Sequence, residues 1–356
     1  GSMREGARIA RGEGEGYMYT RLSNPTIDTW AERVAELEGG GSACATASGM
    51  SAISSVIFHL ASAGENFIAS NMLYSGTFRF FMDVVKKYGI ECRFCDLHNL
   101  EALEGAIDEK TKAVFLESPD NPLLRVYDLE KIVDIAHSRR VPVVFDNTFM
   151  SPALFQPISW GCDIVVHSAT KYLAGNGSLI AGIIVTREEQ LARDIQHQTV
   201  YNFGGILSPV NAWLLIMSLQ TLPLRMQAHS ENAMSVARFL ESDKRVAWVN
   251  YPGLDSHPDS ALAKKYFTNG YSGMIAFGLK GGADACIKLC EGVRLISHQV
   301  SLGDAKSLII HPYSVFFESI SDEERAKMGI TPEMLRLSVG LEDAEDIIAD
   351  LDRAMG

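Results

Sequence analysis

Short apolar runs rich in β-branched residues alternate with helical patterns through the first two thirds of the sequence. Strands that are buried on both faces are typically continuous apolar runs, and Val-Pro-Val-Val-Phe at 141–145 and Asp-Ile-Val-Val-His at 163–167 fit that description. Alternation of this kind predicts an α/β fold with a mostly parallel sheet and helices on both faces. The predicted strands are Asn66–Ser70, Lys112–Glu117, Val141–Asn147, Asp163–Ser168 and Gly182–Thr186, and the predicted helices are Met50–Ala61, Thr77–Tyr88 and Leu129–Ser138.

The pattern changes near Pro223, which can occupy the first turn of a helix. We predict three parts: an N-terminal arm over 1–20, a large domain over 21–217 and a smaller α+β domain over 218–356. The arm is predicted to be flexible because it is polar, glycine-rich and without periodicity. The C-terminal elements expected are helices at Leu224–Glu241, Ala283–Leu289 and Asp343–Ala354 and strands at Arg245–Val249 and Gly273–Lys280.

Composition excludes several classes of protein. The net charge of −12 argues against a nucleic-acid partner, whose phosphates need clustered lysine and arginine. The sequence lacks an apolar run of about 18 residues, so we expect no membrane span. Six cysteines in 356 residues are too few for a disulfide scaffold, and no secretory signal is visible, so we expect a cytoplasmic protein. Cys92 and Cys95 form a CxxC pair, which is either a redox or zinc half-site or two small apolar residues on a strand. Because no second CxxC accompanies the pair, we favour the strand and expect no metal site.

An aspartate and a lysine stand at or just past the ends of two consecutive predicted strands, Asp146 at the end of the first and Lys171 just past the second. Parallel strands deliver their carboxyl ends to one edge of a sheet, where ligands bind. A lysine that forms an imine needs a lowered pKa, and a carboxylate keeps a heteroaromatic nitrogen protonated. The hydroxyls of Ser168 and Thr170 can donate to a phosphate. Together these residues predict a pyridoxal 5′-phosphate site.

Two further stretches are candidates for holding a phosphate. Gly49 and Met50 open a predicted helix, where free N–H groups and close backbone approach favour an anion, although any capped helix looks similar. Arg21 lies two residues after Tyr19. It is either a phosphate ligand that donates two parallel hydrogen bonds or part of a solvated loop. Because both residues follow the flexible arm, they can reach a neighbouring subunit.

Arg336 lies inside an apolar strand between Leu335 and Leu337. A buried arginine needs an anionic partner, which is either a structural carboxylate or the α-carboxylate of an amino-acid substrate.

Over residues 17–354 the chain resembles the Cys/Met-metabolism family of pyridoxal-phosphate enzymes. This family includes methionine γ-lyase, cystathionine γ-lyase and γ-synthase, and O-acetylhomoserine sulfhydrylase. The resemblance implies the aminotransferase-like fold of type I. The motifs that carry it are Tyr-Thr-Arg-Leu-Ser-Asn-Pro-Thr, Ala-Thr-Ala-Ser-Gly-Met, Asp-Asn-Thr, His-Ser-Ala-Thr-Lys-Tyr, Thr-Leu-Pro-Leu-Arg-Met and Arg-Leu-Ser-Val-Gly-Leu-Glu.

The resemblance implies a role for each residue that matches a family motif. Lys171 would bind the cofactor covalently, Asp146 would pair with its ring nitrogen, and Tyr74 would stack on the ring and assist proton transfer. The phosphate ligands implied are Ser168, Thr170 and the backbone of Gly49 and Met50.

The resemblance also implies how the substrate and a second subunit are bound. Arg336, with Ser301 and Asn121, would seat the substrate carboxylate. Tyr19 and Arg21 would complete the phosphate site of the adjacent subunit in a homotetramer built from two dimers.

The reaction implied is either γ-elimination, which gives a 2-oxo acid and ammonia, or γ-replacement by a thiol or another nucleophile on an O-acyl-homoserine. We favour a lyase acting on a γ-substituted L-amino acid of the methionine or homoserine type. A non-catalytic cofactor-binding protein is a third hypothesis, against which Tyr74, Ser301 and Arg336 together argue.

The sequence departs from the family pattern at several positions. Gly76 stands where methionine γ-lyases usually carry cysteine, and Val300 stands where cystathionine γ-lyases usually carry glutamate. Aromatic residues in the stretch His311–Phe317 replace small or polar ones, which indicates either neutral drift with compensating packing or a pocket reshaped for a more apolar or unusual γ-substituent. The arm over 1–20 is shorter than in family members, so we expect it to be truncated or partly missing.

Overall fold

The computed structural model describes residues 2–11, 13, 16–315, 323, 325 and 328–356. Within these ranges no helix is both long and apolar enough to cross a membrane. The same ranges contain no group of three or more histidine, cysteine, aspartate or glutamate residues placed to hold a metal ion.

In the described part of the chain, seven strands form a sheet in the order β1-β7-β6-β5-β4-β2-β3. Strands β2 to β6 pair in parallel, whereas β7 runs antiparallel to both β1 and β6. The strands are β1 (Ser42–Thr46), β2 (Asn66–Ser70), β3 (Glu91–Cys95), β4 (Thr111–Glu117), β5 (Val143–Asp146), β6 (Ile164–His167) and β7 (Gly182–Thr186). The predicted mostly parallel sheet is therefore confirmed.

Helices cover both faces of this sheet. Within β5, Val143 and Phe145 pack in one apolar cluster and Val144 packs in another. Because successive side chains of a strand point to opposite faces of the sheet, each face has its own core. The helices of this part are α1 (Met3–Ala10), α2 (Pro25–Glu38), α3 (Gly49–Leu60), α4 (Ser75–Arg79), α5 (Leu100–Ala106), α6 (Leu129–Ser138), α7 (Ser151–Leu154), α8 (Glu189–Ile195), α9 (Tyr201–Phe203) and α10 (Pro209–Leu219).

Two expectations about local structure are wrong. The stretch predicted as one helix over Thr77–Tyr88 is α4 followed by a π-helical turn, Phe80–Val84, and a 3₁₀ turn, Val85–Tyr88. The wide turn lets the Phe81 ring pack against core aromatics, so tertiary packing overrides uniform periodicity. The arm is not without structure, because Ser2 caps α1 by accepting a hydrogen bond from Glu5 N at 3.2 Å.

The C-terminal part has its own sheet, in the order β10-β11-β12-β9-β8. All pairs in it are antiparallel except β10 with β11. Its elements are α11 (Leu222–Ser242), β8 (Val246–Asn250), α12 (Ser260–Tyr266), β9 (Met274–Leu279), α13 (Gly282–Gly292), β10 (Ser297–His298), β11 (Leu308–Ile310), α14 (Pro312–Val315), β12 (Met334–Ser338) and α15 (Ala344–Met355). The smaller α+β unit is confirmed, whereas a boundary near residue 218, which falls in the last turn of α10, stays a prediction.

Candidate active site

A cavity of about 230 Å³ lies where the carboxyl ends of β4, β5 and β6 meet the N-terminus of α3. Residues of the C-terminal part, around Ser301 and Arg336, form another wall. The cavity therefore combines the carboxyl edge of a parallel sheet with a surface supplied by the second unit. The structure brings together in its lining these predicted residues: Gly49, Met50, Tyr74, Asn121, Asp146, Ser168, Thr170, Lys171, Ser301 and Arg336.

Lys171 follows β6 and points its amine into the cavity, where Nζ donates a hydrogen bond to Ser301 Oγ at 3.0 Å. Burial lowers the pKa of the Lys171 amine to about 8, and the nearby positive charge of Arg336 acts in the same direction. A lysine with this pKa carries a substantial fraction of neutral amine near neutral pH, which is the form that reacts with carbonyl groups and accepts protons.

Asp146 ends β5 and accepts a hydrogen bond from Thr148 N at 3.0 Å. Burial raises the pKa of the Asp146 carboxyl, while the hydrogen bonds from Thr148 and the charge of His167 lower it. Its neighbour in the strand register is Glu117 of β4, a second buried carboxyl. Burial, followed by the charges of Asp146 and Asp120, raises the pKa of Glu117 well above its usual range. Sequence analysis missed Glu117, although its position at the end of an apolar run parallels that of Asp146.

The start of α3 forms the opposite wall. Ser48 caps the helix by accepting a hydrogen bond from Ser51 N at 3.1 Å, which leaves the N–H groups of Gly49 and Met50 without partners inside the helix. A Cβ at position 49 would stand 2.8 Å from Ser168 Cβ, so only glycine allows the helix to approach this strand end so closely. The result is a cradle of N–H groups beside a serine hydroxyl.

Thr170 faces the same cavity but has partners of its own. Its Oγ1 donates to Ala181 O at 3.2 Å and accepts from Ala181 N at 3.0 Å. These bonds fix the turn that carries Lys171 against the strand that follows it.

Arg336 is buried in β12, and its guanidinium reaches the cavity. Nη1 donates to Asn121 Oδ1 at 3.0 Å and Nη2 donates to Ser301 O at 3.1 Å. Burial lowers the pKa of Arg336 to about 10, while the nearby Tyr74, Tyr172 and Glu117 act to raise it. The residue therefore stays charged at neutral pH, and its partners hold the planar group in one orientation.

Tyr19 and Arg21 do not line the cavity. Tyr19 is exposed, and Arg21 Nη1 donates to Tyr201 O at 3.4 Å, at the start of α9. The Arg21 guanidinium also lies 5.4 Å from the centre of the Tyr19 ring. If these residues bind the phosphate, they bind it in another copy of the chain.

The departures from the family pattern fall in different places. Val300 lines the cavity, and a Cβ at position 76 would stand 2.5 Å from the Tyr74 ring, so Gly76 makes room for that ring. Tyr313 lies 4.3 Å from the Arg325 guanidinium and is not part of the lining. Phe316 and Phe317, the other two aromatic residues of the substituted stretch, fall outside the described residues.

The residues of the cavity fit a pyridoxal phosphate. A buried amine of lowered pKa stands in one cavity with a carboxylate at a strand end. The glycine cradle at α3, where a Cβ would not fit, suits a phosphate at a helix N-terminus.

Comparison with known proteins agrees with this fit. Residues 2–356 match the model of the family described as Cys/Met metabolism PLP-dependent enzymes. The chain is 42% identical to the L-methionine γ-lyase of Fusobacterium nucleatum, over 99% of this chain and 90% of that protein. It is 38% identical to the homocysteine synthase of Schizosaccharomyces pombe, over 98% of this chain and 89% of that one.

A solved structure shows the same fold with the cofactor in place. The candidate O-acetylhomoserine (thiol)-lyase of Campylobacter jejuni carries pyridoxyl-lysine-5′-monophosphate. It superposes with a TM-score of 0.95 at 37% identity, over 99% of this chain and 91% of that one. The chain thus has the type I fold and belongs to the pyridoxal-phosphate-dependent enzymes of Cys/Met metabolism, a family of lyases and synthases.

Proposed function

We propose that this chain catalyses γ-elimination on a γ-substituted L-amino acid of the methionine or homoserine type, consuming water and releasing the protonated γ-substituent, a 2-oxo acid and ammonia. The observation that supports the proposal is that Ser301 contacts both the Lys171 amine and the Arg336 guanidinium. Ser301 accepts from Lys171 Nζ through its hydroxyl at 3.0 Å and from Arg336 Nη2 through its carbonyl at 3.1 Å. A group that transfers protons thus stands beside a group that binds carboxylates.

In this proposal the cofactor would be held at both ends by residues that line the cavity. Lys171 would bind it covalently, Asp146 would pair with its ring nitrogen and Tyr74 would stack on its ring. Ser168, Thr170 and the N-terminus of α3 would hold its phosphate. When bound, the cofactor withdraws electrons from the substrate and makes the hydrogens at Cα and Cβ acidic.

The substrate carboxylate is bound by Arg336. Guanidinium and carboxylate match through two parallel hydrogen bonds, and the contacts to Asn121 and Ser301 already orient the fork. This orientation holds Cα and Cβ toward the Lys171 amine, whose lowered pKa lets it accept a proton near neutral pH. The Tyr74 hydroxyl is the group we assign to protonate the departing γ-substituent.

The remaining wall of the cavity is apolar, which favours a thioether over a charged γ-substituent. Ile180, Val300 and Leu302 lie on this wall, and Val300 stands where a charged residue would select a polar substrate. Apolar surface of this kind discriminates between substrates by only about 1–3 kcal/mol per methylene, so we expect a ranking of substrates, not the use of one alone.

A γ-replacement synthase is the second candidate. It is favoured by the relatives, because the homocysteine synthase of Schizosaccharomyces pombe and the methionine γ-lyase of Fusobacterium nucleatum resemble this chain to a similar degree, 38% and 42%. Both reactions use the same proton transfers, and they differ in whether a nucleophile reaches the γ-carbon before water completes the elimination.

The experiment is release of 2-oxo acid by the purified holoenzyme. Methionine, homocysteine, cystathionine and O-acetylhomoserine are supplied separately, first without and then with added sulfide or thiol. Release without a nucleophile supports the lyase, and the ranking identifies the γ-substituent. Formation of the γ-replaced amino acid in the presence of the nucleophile, measured by mass spectrometry, with no 2-oxo acid released in its absence, contradicts the lyase and supports the synthase.

Lys171→Ala is the control for background reaction. If the wild-type protein binds its cofactor but the cofactor spectrum does not change with any of these amino acids, a non-catalytic cofactor-binding role replaces both enzymatic proposals.

A further inference from the structure

Glu117 is a buried carboxyl of the cavity that has no part in the reaction as proposed so far. It ends β4, is 7% exposed and lines the cavity beside Asp146. Burying a polar group costs free energy unless hydrogen bonds replace the contacts it had with water. The hydrogen bonds of Glu117 therefore indicate why a carboxyl group stands at this position.

A chain of two hydrogen bonds joins Glu117 to Arg336. Glu117 Oε1 accepts from Asn121 N at 3.0 Å, and Asn121 Oδ1 accepts from Arg336 Nη1 at 3.0 Å. Asn121 and Arg336 are 4% and 3% exposed, so the chain is buried along its length. It connects the end of a strand of the larger sheet with β12 of the smaller sheet. The direction of one prong of the guanidinium fork thus depends on where Asn121 is held.

The loop that carries Asn121 is also held by contacts that do not involve Glu117. Asp120 N donates to Arg125 O at 3.1 Å, and Leu124 N donates to Asp120 O at 3.0 Å. Arg125 Nε donates to Asp120 Oδ2 at 2.7 Å. We therefore expect the loop to keep its fold when Glu117 is replaced, and the effect of the replacement to be local to Asn121.

The Glu117 carboxyl is suited to accept a hydrogen bond without adding a charge. Burial raises its pKa well above the usual range, and the charges of Asp146 and Asp120 act in the same direction, which favours the neutral form. A neutral carboxyl keeps a carbonyl oxygen that can accept from Asn121 N, as the amide of a glutamine can. Without an acceptor, Asn121 N would be buried and unpaired, and a shift of Asn121 would relieve that cost.

We propose that Glu117 is a positioning residue for the substrate carboxylate. Its hydrogen bond to Asn121 N fixes Asn121, and Asn121 fixes the fork of Arg336. Glu117 acts through these two residues and does not itself bind the carboxylate. The proposal rests on the role assigned to Arg336 under the proposed function, and it holds for elimination and replacement alike.

The test compares two ligands that differ only in the carboxylate. L-Norleucine has the length of methionine but carries carbon in place of sulfur, so it has no γ-substituent that can leave. L-Norleucinamide has an amide in place of the carboxylate. Isothermal titration calorimetry of the holoenzyme at one pH gives a dissociation constant for each ligand. Their ratio measures the preference for the carboxylate, because a change in folding or in the cofactor affects both ligands and cancels.

The variants separate an acceptor from a charge. Glu117→Leu removes the acceptor, and we expect the preference for the carboxylate to fall about 5- to 20-fold. Glu117→Met, which is closer in length, should give the same fall and replaces Glu117→Leu if that variant folds poorly. Glu117→Gln keeps a carbonyl oxygen, so the preference should stay within about twofold of the wild-type value.

A double variant tests whether Glu117 acts through Asn121. Asn121→Ala removes the side chain that accepts from Arg336, so Glu117→Leu should cause no further loss when it is added to Asn121→Ala. Asp350→Asn is the matched control, because Asp350 is another buried carboxyl that accepts from backbone N–H groups, those of Arg294, Leu295 and Ile296. Its replacement should lower the melting temperature and leave the ratio unchanged.

Three results would overturn the proposal. The first is a wild-type ratio in both Glu117→Leu and Glu117→Met. The second is an equal loss in Glu117→Gln, since a charge would then be required. The third is a loss in the double variant equal to the sum of the two single losses, since Glu117 would then act without Asn121. Failure of the Arg336 assignment is distinguishable, because Arg336→Lys would then leave the ratio unchanged.

Discussion

At the scale of single residues, the site depends on how far the protein shifts the pKa values of Lys171 and Arg336. Free lysine is almost fully protonated throughout the physiological range, whereas Lys171 has a larger neutral fraction because burial and the charge of Arg336 lower its pKa to about 8. Arg336 remains a cation in the same environment because its intrinsic pKa is far higher, even after burial lowers it to about 10. One cavity therefore holds a base and a permanent cation side by side.

The Lys171 amine should titrate near its lowered pKa. In cofactor-free protein, the rate at which an amine-reactive reagent modifies Lys171 should rise through pH 8, because the neutral amine predominates above the pKa of about 8. Mass spectrometry of the modified peptide measures the rate at each pH. An exposed lysine such as Lys131 serves as the internal control. A midpoint for Lys171 that coincides with that of Lys131 would contradict the shift.

Replacing Arg336 by lysine should weaken substrate binding and leave cofactor binding unchanged. A lysine keeps the charge but loses the two-pronged fork, and a hydrogen bond to a charged group is worth about 1.5–3 kcal/mol. We expect KM for the amino-acid substrate to rise about 10- to 100-fold in steady-state assays. Arg245→Lys is the control, because Arg245 pairs with Asp243 and Asp352 near the surface of the C-terminal unit. Equal KM values in both variants would remove Arg336 from the substrate site.

At the scale of elements, helix and strand ends set the distances in the cavity. The strand register places Glu117 of β4 beside Asp146 of β5, and Asp146 beside Val166 near the end of β6. Helix α3 approaches the residue after β6, Ser168, closely because residue 49 has no side chain. A short shift of either element moves the phosphate cradle as a whole.

Gly49→Ala should therefore weaken cofactor binding. The new methyl group would stand 2.8 Å from Ser168 Cβ and 2.9 Å from Ser168 Cα, so α3 has to move away from β6. We expect about 10- to 100-fold lower affinity, measured by absorbance titration of the cofactor-free protein. Gly105→Ala in α5 meets nothing within 4 Å, and it should keep full affinity while gaining about 0.5–1 kcal/mol of stability. Wild-type affinity in Gly49→Ala would show that the cradle is not a phosphate site.

At the scale of the whole molecule, the chain presents surfaces that suit a second copy. One face of α10 exposes Val210, Trp213 and Met217, each more than half exposed at 62%, 55% and 52%. Apolar side chains at this spacing form a stripe, and stripes of this kind mark contacts between proteins. Together with the position of Tyr19 and Arg21 outside the cavity, this stripe supports the predicted homotetramer, and a cytoplasmic location likewise stays a prediction.

Complementation tests whether Arg21 acts in a neighbouring subunit. Arg21→Ala and Lys171→Ala proteins should each have little activity, because each lacks one part of every site. Dissociated together and reassembled, they should regain activity, since a mixed dimer contains one site with both residues intact. Each variant reassembled with itself is the control. Mixed oligomers that form without any gain in activity would place Arg21 outside the neighbour's site.

The sequence by itself determined the α/β class, the mostly parallel sheet, the family and most of the cavity lining. Buried strands must be apolar, and the polar residues at their ends, such as Asp146 and Lys171, are visible because they interrupt that pattern. Glu117 interrupts it in the same way, yet it matters only because the strand register places it beside Asp146.

Only the tertiary structure decided which distant residues meet. Neither the π-helical turn at Phe80–Val84 nor the reversed direction of β7 follows from local periodicity, because core packing and strand pairing select them. The contact between Glu38 and His167 joins residues 129 positions apart in the sequence. No local pattern encodes such a contact, because it arises where α2 packs against the end of β6. Folding is what brings these scattered side chains together at the ends of β5 and β6.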